Sequence, residues 1–216
     1  MRKLLFFPFL LLALTATACS GDPIEPEGSA TEQPETPGND NDEDETPNND
    51  GRYLVLYCSR TSNTEGIARR IGTALGCDFI EVEPETPYDT DYNAMLERSQ
   101  QEQAAIEAGN FPPVKTSVES FEEYDIIFIG YPIWYSHMAT PMQTFLHEHA
   151  AKLAGKRIAL FATSGSSGIS TSVSDARKHC PDATYTESLL LTSGALSQAE
   201  SRVAEWLSEI GVTTKN

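Results

Sequence analysis

From Tyr53 onward, short apolar runs alternate with stretches of helical period, and this alternation constrains the fold more than any other feature of the chain. Tyr53-Leu54-Val55-Leu56-Tyr57-Cys58 is one continuous apolar run, the pattern of a strand buried on both faces. Asn63 to Leu75 then sets Ile67, Ile71 and Leu75 four residues apart, on one helix face. Further strands are predicted over Phe79–Val82, Ile126–Ile129, Ile158–Ala162 and Glu187–Leu191. Helices are predicted over 91–108, Met142–His149, Ser170–Lys178 and Gln198–Ile210, the last with Val203, Trp206, Leu207 and Ile210 as an i, i+3, i+4, i+7 stripe. Such alternation predicts an α/β fold: a five-stranded parallel sheet covered on both faces, a three-layer sandwich. Ligands of open parallel sheets bind beyond the carboxyl ends of the strands.

The residues before Arg52 have a different texture. Arg2 and Lys3 precede an apolar run from Leu4 to Leu14 and small residues ending at Cys19, an export signal too short to remain as a spanning helix. Ala16-Thr17-Ala18-Cys19 resembles a bacterial lipobox, with Ala16 where most have Leu, Val or Ile. That resemblance implies that Cys19 is diacylated and anchors the protein stably, in the bacterial cell envelope outside the cytoplasm. Residues 20–51 hold eleven of the 32 acidic residues, no basic one, and Ile24 as their only large aliphatic side chain. They cannot bury enough apolar surface to fold and are expected to be a self-repelling spacer. The formal charge of −17 is therefore largely a property of this spacer, and the domain from 52 to 216 is only moderately acidic. No basic run offers a footprint for nucleic acid.

Cys58, Cys77 and Cys180 show no CxxC or CxxxH spacing, which argues against a metal site. Cys58 and Cys77 sit in or beside apolar strands and read as small core residues. One disulfide is open to an exported protein, and spacing does not choose it. No Ser/His/Asp or paired-carboxylate arrangement stands out. His137 lies near the loop after the third strand and reads as a solvated loop residue, with a hydrogen bond to a ligand there as the alternative, and His147 and His149, two apart on a helix, do not face one another.

Three loops occupy the carboxyl ends of the strands. Ser59-Arg60-Thr61-Ser62-Asn63-Thr64 leads straight into a helix, and hydroxyls with free N–H groups at a helix start suit a dianionic phosphate. The same residue types also serve as ordinary caps. Tyr131-Pro132-Ile133-Trp134-Tyr135 follows the third strand, with Pro132 expected to set the turn and Trp134 offering a broad apolar face or packing over the sheet edge. Thr163, Ser164, Gly165, Ser167 and Gly168 follow the fourth strand, where the glycines permit either close approach or plain turns.

The run Leu56–Glu65 resembles the flavodoxin phosphate loop, Ser/Thr-x-Thr-Gly-x-Thr, with Ser62 where Gly is usual. The resemblance continues through Ile129–Tyr135, Pro141, Phe145-Leu146 and Ala162–Gly168, and so spans about residues 53–211. The Tyr-Pro-Ile-Trp element is that of a short-chain flavodoxin-like subfamily. The resemblance implies FMN: phosphate on Ser59, Thr61, Asn63 and Thr64 with help from Arg60, and the isoalloxazine ring between Tyr131–Tyr135 and Thr163–Gly168. If the Ser62 position needs positive φ, Ser is strained there. Flavodoxins usually place an aromatic residue in the third loop, and Thr163–Ser170 has none, so one ring face is expected to be open.

A redox role through noncovalent FMN follows, with electrons exchanged with a redox partner protein or a membrane quinone. An FMN-dependent quinone-type reductase is the alternative to a carrier, and a flavin-free binding module of the same fold is a third reading that only Ser62 favours. The anchor gives the first prediction. Cys19→Ala should abolish labelling by palmitate and either shift the protein from membranes to the soluble exported fraction or leave it unprocessed. Equal labelling of mutant and wild type would count against lipidation here.

Overall fold

The computed structural model describes residues 51–215. The export signal, Cys19 and spacer residues 20–50 lie outside them. The elements in chain order are β1 (Tyr53–Tyr57), α1 (Asn63–Leu75), β2 (Phe79–Glu81), α2 (Tyr92–Glu107), β3 (Ile126–Trp134) and β4 (His137–Met138). They continue with α3 (Thr140–Leu153), β5 (Arg157–Ser164), α4 (Ser170–His179), β6 (Thr184–Tyr185), β7 (Leu189–Thr192), a 3-10 turn over Ser193–Gln198, and α5 (Ala199–Glu209).

The sheet runs β2-β1-β3-β5, all parallel, and both β6 and β7 pair parallel with β5. β6 takes the start of β5, at Arg157 and Ile158, and β7 takes its end, from Phe161 to Ser164. The predicted fifth strand is thus two short strands in one sheet position. β4 is antiparallel to β3, and the sequence gives no periodic signal for a strand of two residues.

Period-two alternation divides the core between the faces. Leu54 and Leu56 of β1 join Ile127, Ile129, Leu160 and the α3 residues Met142, Phe145 and Leu146. Tyr53, Val55 and Tyr57 point the other way, with Phe128 and Phe161, onto Ile67 and Ile71 of α1 and Val203, Trp206 and Leu207 of α5. A helix of 13 residues such as α1 is marginal alone. Burial of Ile67, Ile71 and Leu75, each contributing roughly 1.5–3 kcal/mol, holds it on the sheet. The free thiols of Cys58 and Cys180 are buried and that of Cys77 half-buried. Burial pushes Cys180 up to about 12 and Cys77 to about 11, so neither is a reactive thiolate at neutral pH.

Centrally, β3 and β5 leave no room at Gly130, where an added Cβ would fall within the fully buried Phe161 ring. Gly130→Ala should therefore lower stability by roughly 2 kcal/mol through overpacking, or about 4–8 °C in Tm. Phe161→Leu in the same chain should restore part of the loss, as thermal unfolding of both variants would show.

Candidate functional site at the carboxyl ends of β1, β3 and β5

The β1–α1 connection turns on Ser62, which precedes α1 with φ 59° and ψ 5°. Ser62 O accepts from Gly66 N at 2.9 Å, closing the first turn, while its side chain makes no cap bond. Asn63 Nδ2 donates to Thr61 Oγ1 at 3.3 Å. Thr64 Oγ1 meets Thr163 Oγ1 of β5 at 2.8 Å in a buried bond across the sheet end. Arg60 reaches sideways: its Nη2 donates to Thr90 O at 2.8 Å and its guanidinium lies over the Tyr92 ring.

The second segment is not a loop. β3 runs five residues beyond its predicted end, and Pro132 pairs in register with Thr163 of β5. Pro132 therefore does not set a turn. It is tolerated because β1 has already left this edge: Gly130 O accepts the last bond from Cys58 N at 3.0 Å. Two residues on, the same edge has no strand for a missing N–H to serve. Pro132 O instead accepts from Ala139 N at 3.2 Å. The chain reverses through Tyr135 and Ser136, with φ 49° and 73°, a two-residue hairpin turn of the kind Asn-Gly would fill without strain. β4 returns with His137 opposite Trp134. His137 is no solvated loop residue: its Nδ1 lies 3.1 Å from the Asp175 carboxylate of α4, which also accepts from Met138 N.

Ten of the residues singled out from the sequence line one cavity of about 160 Å3: Arg60, Thr61, Asn63, Thr64, Pro132, Ile133, Trp134, Thr163, Ser164 and Gly165. Six do not. Ser59 borders the neighbouring cavity, and Ser62 serves the loop through its backbone. Tyr131, still inside the overrunning strand, is fully buried and bonds Ser172 Oγ of α4. That burial raises its phenol above the ordinary value and leaves nothing of the side chain for a ligand in the cavity. Tyr135 lies half-exposed at the hairpin tip. Ser167 O accepts from Ser164 Oγ at 2.8 Å, so Ser167 and Gly168 close a turn away from the cavity. Among the described residues no cluster of His, Cys, Asp or Glu could hold a metal ion.

The flavodoxin family model matches residues 52–210. The chain belongs to the flavodoxin family. A candidate flavoprotein from Bacteroides eggerthii is 34% identical, at a TM-score of 0.65 over 76% of this chain and 99% of its own. One from Bacteroides uniformis is 28% identical, with a TM-score of 0.61 over 73% and 98%. A Lactobacillus acidophilus flavoprotein, solved in complex with FMN, shares the fold at 22% identity and a TM-score of 0.57 over 68% and 97%. No curated protein matches.

This flavodoxin brings to the cavity residues that the loops did not reveal: Tyr92 and Met95 of α2, and Ser193 and Leu196 after β7. A signal existed. Asp91 reads as an N-cap, and its Oδ1 accepts from Ala94 N at 2.9 Å. A helix start following β2 lies at the same sheet end as the three loops. Tyr92, 59% exposed, thus places a second aromatic ring in the wall although the third loop has none. The strained Ser62 supplies the prediction here. An L-residue in this region is disfavoured by roughly 1–2 kcal/mol, so Ser62→Gly should raise stability by about 1 kcal/mol in urea unfolding, while Ser62→Val should lower it.

Proposed function

We propose that this flavodoxin binds FMN noncovalently and serves as a redox protein, tethered in the bacterial cell envelope outside the cytoplasm through a diacylated Cys19. When bound, FMN supplies the electron or hydride transfer, and the protein supplies binding and orientation. The reading rests on the hydroxyl protons left free at the start of α1. Thr64 and Thr163 share one bond between two hydroxyls, so one proton remains to donate. Thr61 Oγ1 accepts from Asn63 and keeps its own. A dianionic phosphate is the acceptor that such a set of donors, at a helix N-terminus, fits.

In this arrangement the loop grips the phosphate, with Arg60, Thr61, Asn63 and Thr64 contributing side-chain or backbone donors and Ser62 shaping the turn through its backbone. Trp134, with Pro132 and Ile133, would flank one side of the ring, and Thr163, Ser164 and Gly165 would meet its polar edge. The donor or acceptor would be a redox partner protein or a membrane quinone, kept close by the lipid.

The visible spectrum of the protein titrated with FMN tests the reading. Thr61→Ala, at an exposed position, should weaken FMN by roughly 1.5–3 kcal/mol, about ten- to a hundredfold. Riboflavin, which lacks the phosphate, should bind far more weakly and respond little to the mutation. Equal losses for the two ligands would move the phosphate elsewhere.

A further inference from the structure

Trp134 walls three cavities. With Pro132 and Arg60 it separates the one described above from a second, of about 280 Å3, over the carboxyl ends of β1 and β2. Cys58 and Val82 line it from the core, and Pro84, Pro87 and Pro141 supply flat apolar walls. Tyr88 stands edge-on to Trp134, ring centroids 5.0 Å apart at 76°.

The walls are held firmly. Tyr88 donates its hydroxyl to the Glu102 carboxylate of α2, which also accepts from Thr140 Oγ1 at 2.5 Å and Arg98 Nε at 2.7 Å. The Arg98 guanidinium covers the other side of Tyr88 at 4.1 Å and donates to Thr86 O and Pro87 O. Such a network preforms a cavity before any ligand arrives. The volume lies just below the range of ligand cavities, about 300–1,000 Å3.

The polar groups select the chemistry. Arg60 and Lys115 are balanced by Glu81 and Glu83, with Lys115 Nζ 3.8 Å from Glu83. A ligand of either charge therefore meets no excess of the opposite sign. Arg60 Nε is buried without a partner, although Nη2 of the same guanidinium is engaged at Thr90 O. Ser59 Oγ, on the same lining, is likewise buried without a partner, and two unpartnered donors beside flat apolar walls ask for an acceptor oxygen on a planar ring.

We propose that this second cavity binds a neutral, flat, carbonyl-bearing ring of the quinone class, with a carbonyl oxygen on Arg60 Nε and the ring against Tyr88, Trp134 and the prolines. It lies one indole away from the FMN cavity. Its use as an electron-acceptor site rests on the FMN reading, whereas the binding itself does not.

The test titrates the 15N-labelled full-length Cys19→Ala chain with duroquinone, with and without saturating FMN. The duroquinone ring is fully substituted, so the half-buried Cys77 thiol has no open ring position to add to. Amide shifts are expected at Val82, Glu83, Tyr88 and Lys115, with the same affinity whether or not FMN is present. Lys115→Trp, a change at an exposed position whose backbone bond to Glu83 O survives, should fill the cavity. It should weaken duroquinone by about tenfold or more while leaving FMN affinity and the amide spectrum of the fold intact. Shifts confined to Thr163–Gly165 and reversed by FMN would overturn the proposal, as would unchanged duroquinone affinity in folded Lys115→Trp. Failure of FMN to bind while the Val82–Lys115 shifts persist would count against the flavin reading alone and uphold the quinone cavity.

Discussion

Seven consecutive residues of β3 lie in parallel register with β5, from Ile126 against Arg157 to Pro132 against Thr163, and both cavities depend on that pairing. β1 leaves β3 at Gly130, while β5 follows it further. The overrun lifts Pro132 to Trp134 above the sheet end on one side and keeps Thr163 and Ser164 level with them on the other. The pairing requires Gly130, because only hydrogen leaves space for Phe161 of β5. A shorter β3 would leave Trp134 on a free loop, with no fixed relation to the α1 start.

Two sets of interactions then fix what the overrun presents. The Thr64–Thr163 bond ties the start of α1 to the end of β5 and sets the β1–α1 loop against the third segment. On the other flank, Glu102 and Arg98 lock the 86–88 segment to α2, and Tyr88 carries that rigidity to Trp134. The Glu102 carboxylate is mostly buried but has Arg98 as its ion-pair partner and two hydroxyls donating to it, which offsets the desolvation a lone carboxylate would suffer. Trp134 is therefore braced by Tyr88 and, through it, by α2, although it belongs to β3.

Strain gathers at the same place. Among the described residues the non-glycine positions with positive φ are Ser62, Tyr135 and Ser136. One adjoins α1 in the β1–α1 loop and two form the hairpin directly after Trp134. Left-handed conformations of such residues persist only where surrounding structure imposes them, and they concentrate at functional sites. Here the α1 bond from Gly66 N to Ser62 O and the β3–β4 pairing impose them. The 3-10 turn after β7 adds Ser193 and Leu196 to the cavity beside α1, so the wall draws on α1, α2, β3, β5 and the end of β7 together.

Much of this was legible in the sequence because burial on both faces and helical period are local signals. Tyr53–Cys58, Ile67-Ile71-Leu75 and the Val203–Ile210 stripe announced a doubly covered parallel sheet, and the hydroxyl-rich loop before α1 announced one wall of the cavity at its end. The positive φ at Ser62 was legible too, from its place in a loop where glycine is usual. Tertiary structure alone decided the rest. Where β3 ends depends on when β1 stops pairing with it, which no residue of β3 encodes, so Tyr131 became core and Pro132 became strand. Tyr92 and Tyr88 reached the two cavities through α2 and its ion pair, contacts across dozens of residues that leave no periodic trace. Sequence period records what each element must bury, whereas the placement of side chains around a cavity depends on how far neighbouring strands run past one another.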